Sequence, residues 1–134
     1  MRETVERELK LVPPDGFTLP PLGRELPPRT FVSAYFDTPD LRLASRGVTL
    51  RHRVEDGTRL WQLKLPHGAS RIELEVAGTP ARPPAELVGL LAAYLRGSKL
   101  QRVARLRTRR RAQLLDGAEI LDDAVAVLDG QRIV

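Results

Sequence analysis

The chain has no cysteine, which excludes disulfides, thiolate nucleophiles and thiolate metal sites. Its two histidines, His52 and His67, do not cluster, so a zinc site of histidines is excluded as well. A nucleophile elbow and a Gly-x-Gly-x-x-Gly loop are also absent. Aromatic residues make up 4% of the chain, too few for a convincing base-stacking platform. No apolar run approaches the roughly 20 residues that span a bilayer, and the N-terminus lacks an apolar signal-peptide core. A cytoplasmic protein without a membrane partner is expected. Lysine is scarce too: only Lys10, Lys64 and Lys99 accompany a large excess of arginine.

At 134 residues, the chain is about one domain long and has room for a modest core. Hydrophobic residues form 42% and charged residues 29%, a globular rather than a disordered composition. The net charge of +5 and sequence pI of about 10.4 favour an anionic partner.

Period-two alternation predicts strands at 2–11, 30–37, 48–54, 58–65, 70–77, 101–115 and 118–128. Asp-Gly at 56–57 and again at 116–117 predicts two tight hairpins. The proline-rich stretch from Pro13 to Pro28 reads as a linker or irregular crossover. A short helical turn is expected over 39–46, capped by Thr38 and ended by Gly47. Leu87, Leu90, Leu91 and Leu95 give a helical stripe ending at Gly97. The expected architecture is mainly antiparallel β with one substantial helix.

The charges on these strands recur at alternate positions. Glu6, Glu8 and Lys10 would share one strand face, with Val5, Leu9 and Leu11 on the other. Arg51 and Arg53 share a face with Thr49; Lys64 lies beside Gln62; Glu73 and Glu75 accompany Arg71. Arg105, Arg107, Arg109 and Arg111 alternate along a further strand. One such face is the ordinary wet side of an antiparallel sheet. Several together, of complementary sign, fit a sheet curled around a charged interior, where counter-charge, metal or phosphate separates like charges.

In these motifs the chain resembles the CYTH domain, the triphosphate tunnel metalloenzyme group. That group includes class IV adenylate cyclases, thiamine triphosphatases and inorganic tripolyphosphatases. The resemblance is carried by Glu6-x-Glu8-x-Lys10, Tyr-Phe-Asp-Thr-Pro-Asp-Leu at 35–41, Leu-Arg-His-Arg at 50–53 and Lys-Leu-Pro at 64–66. Glu-Leu-Glu at 73–75, Arg-Thr-Arg at 107–109 and the Asp122–Asp123 pair complete it, in the family's order. It implies an eight-stranded antiparallel tunnel barrel with flanking helices. It also implies Mg²⁺ or Mn²⁺ held by Glu6, Glu8, Glu73, Glu75 and Asp123, or by Asp122 if the register of that strand differs. Lys10, Arg51, Arg53, Lys64, Arg107 and Arg109 would bind the triphosphate, with Arg105 or Arg111 substituting under a shift of two. Glu6, Glu8 and Lys10 would be the catalytic group. Family members continue into another strand bearing a Glu-x-Glu pair, so a C-terminally incomplete domain is expected, from a longer parent that could carry a CHAD domain.

The function so implied is metal-dependent hydrolysis of inorganic tripolyphosphate or of a nucleoside or thiamine triphosphate. The alternatives are a polyphosphate-binding module with little turnover, or a cyclase making cyclic AMP. A nucleic-acid partner, suggested only by net charge and the run at 107–111, ranks last because that run alternates faces in a strand. Tyr35, Phe36 and Trp61 read as packing residues, and neither histidine reads as a ligand.

Overall fold

Eight strands form one antiparallel sheet in the computed structural model, which describes residues 1–6 and 8–130. They are β1 (Arg2–Glu6), β2 (Arg24–Glu25), β3 (Arg29–Asp37), β4 (Thr49–Glu55), β5 (Thr58–His67), β6 (Ser70–Ala77), β7 (Gln101–Leu115) and β8 (Ala118–Gly130). The order across the sheet is β1-β6-β5-β4-β3-β7, with β8 on the far side of β7. The two-residue β2 pairs with β7 beyond the end of β3. Among the described residues no ladder joins β1 to β8, so the sheet is not closed by hydrogen bonds. No helix among them is long and apolar enough to cross a membrane.

Both predicted hairpins form. Asp56-Gly57 and Asp116-Gly117 adopt positive φ at both positions, the twist that matches flanking antiparallel strands. The predicted helical turn is α1 (Arg42–Ser45), closed by Gly47 at φ 70°. Its cap is built by two residues of the motif at 35–41. Asp37, buried at the end of β3, accepts from the backbone N–H groups of Thr38, Leu43 and Ala44 at 2.7, 2.9 and 3.0 Å. Thr38 Oγ1 accepts from Arg42 N–H at 3.0 Å. One carboxylate therefore fixes the angle at which α1 leaves the sheet.

The core lies between α1, together with the helical segment 85–95, and the outer side of the sheet. Leu43, Leu50, Trp61, Leu63, Leu87 and Leu91 are all almost completely buried there. Trp61 packs against Phe36 and His52 with ring centroids 5.0 Å apart in each case. Trp61 Nε1–H donates to Thr79 O, and His52 Nε2, facing a carbonyl, donates to Gly78 O, both at 2.9 Å. His52 is thus an anchor for the segment that follows β6.

Three expectations are corrected. The described β1 is Arg2–Glu6 and does not run to residue 11: Glu6 lies opposite Arg71, and β6 begins at Ser70, too early to pair a strand of that length. The single helix is two, α2 (Ala85–Leu90) and α3 (Ala92–Leu95), separated at Leu91, which leaves Leu90 half exposed and keeps Leu87, Leu91 and Leu95 buried. Gly89, a weak helix former, sits just before that break. The proline-rich stretch contains the short β2.

Asp37→Ala should lose on the order of 3 kcal/mol of folding stability, because it leaves three backbone donors without an acceptor. Asp37→Asn, which keeps one acceptor oxygen, should lose about half as much; urea unfolding midpoints of the three proteins check this.

Candidate functional site

The opposite side of the sheet is polar and nevertheless buried. Gln62, Glu73 and Arg53 are at most 9% exposed there, and no helix covers them. Their burial comes from the curl of the sheet itself. The register builds rows across this concave side. Thr4, Glu73, Lys64 and Thr49 form one row, and Arg2, Glu75, Gln62, Arg51 and Tyr35 the next. Arg53 pairs with Ser33, and Phe31 with Thr108.

The acidic end centres on Lys64. Its Nζ lies 3.2 Å from Glu6 Oε2 and 3.8 Å from Glu73 Oε2, with the lysine side chain 14% exposed. The contact to Glu6 is an ion pair off hydrogen-bonding angle, so the buried Glu6 Oε2 has no hydrogen-bond partner. Burial, and then the adjoining Glu6 carboxyl, push the Glu73 carboxyl up to about 7. Hydrogen bonding with Glu73, followed by the Lys64 charge, holds Glu6 below the usual carboxylate range. Two ionised carboxylates cannot hydrogen-bond, so this pair is satisfied by one shared proton or by a cation. A cleft of about 320 Å³ opens beside Glu6, lined by Glu8, Pro66, Ser70 and Arg71.

Toward β3 and β7 the concave side turns basic. Arg51 Nε donates to Gln62 Oε1 at 2.7 Å, and its Nη1 reaches the Tyr35 hydroxyl at 3.4 Å. Arg53 is buried with no hydrogen-bond partner for Nε, and burial, then repulsion by Arg51 and Arg110, lowers it to about 10. Arg110 donates to both oxygens of Asp123 at 2.8 Å.

The structure gathers Glu6, Glu73, Glu75, Lys64, Arg51 and Arg53 on this one side. Glu8 and Lys10 lie beyond the end of β1 and pair loosely with each other at 3.8 Å. Arg107 and Arg109, with Arg105 and Arg111, project from the outer side and are exposed. Their parity is the reverse of the expected one: β7 carries Leu106, Thr108 and Arg110 inward. The cause is the helical cover, which lies over β4–β6; the outer side of β7 faces solvent, so its arginines turn out and Leu106 turns in. Asp123 does face inward, as Arg110's partner, and Asp122 faces out opposite Arg111. Arg110, Gln62 and Tyr35 are the site residues that sequence reading missed. The hairpin at 116–117 fixes Arg110 opposite Asp123, an inward charge pair that a register count from that turn would have exposed.

Among the described residues no three acidic or histidine side chains form a metal cluster. The chemistry present nonetheless fits a hard divalent cation. Glu6 and Glu73 offer carboxylate oxygens, one of them buried and without a hydrogen bond, and Mg²⁺-type ions commonly take one or two carboxylates plus phosphate oxygens.

The proton on Glu73 has a stability consequence. A carboxyl raised from the ordinary 4.5 to about 7 stabilises the fold fully below 4.5, and this contribution is lost as pH rises through 7. Glu6, held low, contributes above its ordinary value and loses that contribution as pH falls. Between about pH 5 and pH 8 the wild type should therefore lose on the order of 2 kcal/mol relative to Glu73→Gln, whose side chain does not titrate. Urea midpoints of both proteins across that range test the difference.

Comparison with known proteins bears on the family and the fold. The chain is 38% identical over 97 residues to two Mycobacterium tuberculosis proteins, Uncharacterized protein MT2285 (strain CDC 1551 / Oshkosh) and Uncharacterized protein Rv2226 (strain ATCC 25618 / H37Rv). Those matches cover 69% of this chain and 18% of each relative, so the chain spans about a fifth of their length. A crystal structure from Bacillus halodurans, titled a "putative adenylate cyclase", superposes with a TM-score of 0.65 at 22% identity. It covers 78% of this chain and 61% of its own, a likeness of fold. The CYTH domain profile matches residues 4–133, nearly the whole sequence, and the chain belongs to the CYTH domain family.

Proposed function

We propose that the concave side binds a triphosphate and, with Mg²⁺ or Mn²⁺, catalyses hydrolysis of its terminal phosphoanhydride bond. The observation that supports this most is the division of one buried surface into an acidic end, Glu6 and Glu73 around Lys64, and a basic end of Arg51, Arg53 and Arg110. A pure anion binder has little use for the acidic end. A metal–triphosphate needs both.

In this reading the basic end binds and orients the phosphates. Arg51 is held by Gln62 through Nε and reaches Tyr35 through Nη1, which leaves its remaining N–H groups to the ligand. Arg53 meets the anion with its charge uncompensated. Lys64 balances the two carboxylates and can lean toward a phosphate oxygen as a compact charge. A divalent cation held by Glu6 and Glu73, when bound, supplies charge neutralisation and a polarised water. In the hydrolysis, the water oxygen bonds to the terminal phosphorus and its proton passes to solvent, while the bond to the bridging oxygen breaks and the diphosphate, free or still esterified, leaves with that oxygen. Glu75 lies on the same side within the next row and supports the acidic end. Glu8 lines the cleft beside Glu6, with Lys10 3.8 Å from it, rather than the reacting centre.

Phosphate release should be measured from tripolyphosphate, ATP and thiamine triphosphate with Mg²⁺ or Mn²⁺. Metal-dependent release from at least one of them is expected. Glu73→Gln should lower kcat by about a hundredfold or more, and Arg51→Ala should chiefly raise KM, by about tenfold to a hundredfold. Cyclic AMP formed from ATP in place of free phosphate would assign a cyclase instead. Tight binding of long polyphosphate without turnover would assign a binding module.

A further inference from the structure

β3 presents Phe31, Ser33 and Tyr35 to the concave side, and an aromatic ring there, 3% exposed, is out of keeping with the polar row. Three arginines surround it. The Arg53 Cζ lies 3.9 Å from the ring centroid, Arg110 Cζ 5.1 Å and Arg29 Cζ 5.9 Å. Two of the three are neutralised. Arg29 donates to both oxygens of Glu55 at 2.6 Å, and Arg110 to both oxygens of Asp123 at 2.8 Å. Arg53, the one nearest the ring, has no hydrogen-bond partner for its buried Nε and no carboxylate within 4 Å among the described residues.

We propose that Phe31 is a positioning residue of the phosphate site: its ring is the platform that holds the Arg53 guanidinium in place while leaving its charge free for the anion. This deepens, and rests on, the triphosphate reading above. The physical reason is the difference between two ways of holding a cation. A carboxylate holds an arginine by cancelling its charge, so an incoming phosphate must compete with it. A ring face holds it through the quadrupole, worth more once desolvated, and donates no hydrogen-bond acceptor that would occupy the N–H groups. Phe31 and Arg53 are placed for this by register. Arg53 pairs with Ser33, so the ring two residues away is its diagonal neighbour on the same sheet face, within reach of long side chains. The two arginines on either side close the ring in, and each engages its own carboxylate, Glu55 or Asp123, bidentately. Arg53 is therefore the guanidinium of the three that can turn N–H donors to an oxyanion without first breaking an ion pair.

Two measurements on the intact chain test this. The first needs no ligand. The Arg53 Nε–Hε resonance, assigned by its disappearance in Arg53→Lys, should be displaced by the ring in the wild type and return to the ordinary arginine position in Phe31→Leu. An unmoved resonance in Phe31→Leu overturns the contact. The second is tripolyphosphate affinity by calorimetry. Phe31→Leu should weaken it by about tenfold, between the exposed and the desolvated values of a cation–π contact, and Phe31→Trp should stay within about threefold of wild type. In an Arg53→Ala background, Phe31→Leu should add less than about twofold, because the ring acts through Arg53. An equal loss in both backgrounds would make Phe31 a purely structural residue and end the proposal. Should Phe31→Leu fail to fold, Arg53→Lys keeps the ring and the charge but not the planar stack. It should lose about fivefold in affinity, and wild-type affinity in that variant counts against the platform. A wild type without any tripolyphosphate affinity would remove the triphosphate reading and the role with it, while the resonance still decides whether ring and guanidinium touch.

Discussion

Helical cover over only part of the sheet governs which way every strand turns its side chains. α1, α2 and α3 bury the outer side of β4, β5 and β6 through Leu43, Leu87, Leu91 and Leu95. On those strands the apolar residues must point outward to the helices, as Leu50, Trp61, Leu63 and Leu74 do, and the alternate positions fall on the concave side whatever their charge. That is how Arg51, Arg53, Lys64 and Glu73 come to be enclosed. β7 lies beyond the helical cover, so its outer positions are wet and its inner ones lean on the neighbouring strands. Leu106 and Ala112 are buried on the concave side while Arg107 and Arg109 are exposed. The same rule, applied to two environments, reverses the parity of charge between the two halves of the sheet.

Enclosing charge in this way is costly, and the concave side is stable only where the costs are locally offset. Lys64 stands between two carboxylates, and one of these keeps its proton to near neutral pH. Arg110 and Asp123 satisfy each other bidentately. Arg53 is offset least, since desolvation and two neighbouring arginines oppose its charge, Glu73 supports it only from a distance, and among the described residues no carboxylate pairs with it within 4 Å. The folded chain thus holds an unmet demand for an anion at one end and for a proton or cation at the other. Binding a metal–triphosphate would meet both demands without rearranging the sheet, which is the meaning of a preorganised site.

Most of the fold was legible because its signals are local. Alternation placed seven strands, Asp-Gly twice placed a hairpin, and Gly47 marked the end of α1. What the sequence hid depends on partners distant along the chain. The end of β1 is set by where β6 turns, not by the alternation of Glu6, Glu8 and Lys10, which continues past the last available hydrogen bond. For the site, Arg51, Arg53, Lys64 and Glu73 were readable because apolar residues alternate cleanly with them on strands under the helices. Arg107 and Arg109 were misplaced for the converse reason. The run Arg107–Arg111 offers arginine at both parities, and only the cover on each side decides which of them faces in. Tyr35 reads as a packing residue until register sets its hydroxyl near Arg51.

The arrangement of ion pairs also bears on what kind of anion the concave side can favour. A single phosphate could collect Arg51 and Arg53, but Arg110 is already engaged by Asp123, and at the other end Lys64 is already held between Glu6 and Glu73. A longer chain of phosphates spreads its charge along the rows, and a divalent cation turns the acidic end from repulsive to attractive. Each added phosphate therefore gains an interaction that a shorter ligand lacks, while the two carboxylates penalise any polyanion that arrives without its metal. On the triphosphate reading proposed above, selectivity for a metal-bound oligophosphate over a monophosphate would follow from where the carboxylates sit, before any group at the rim of the site is considered.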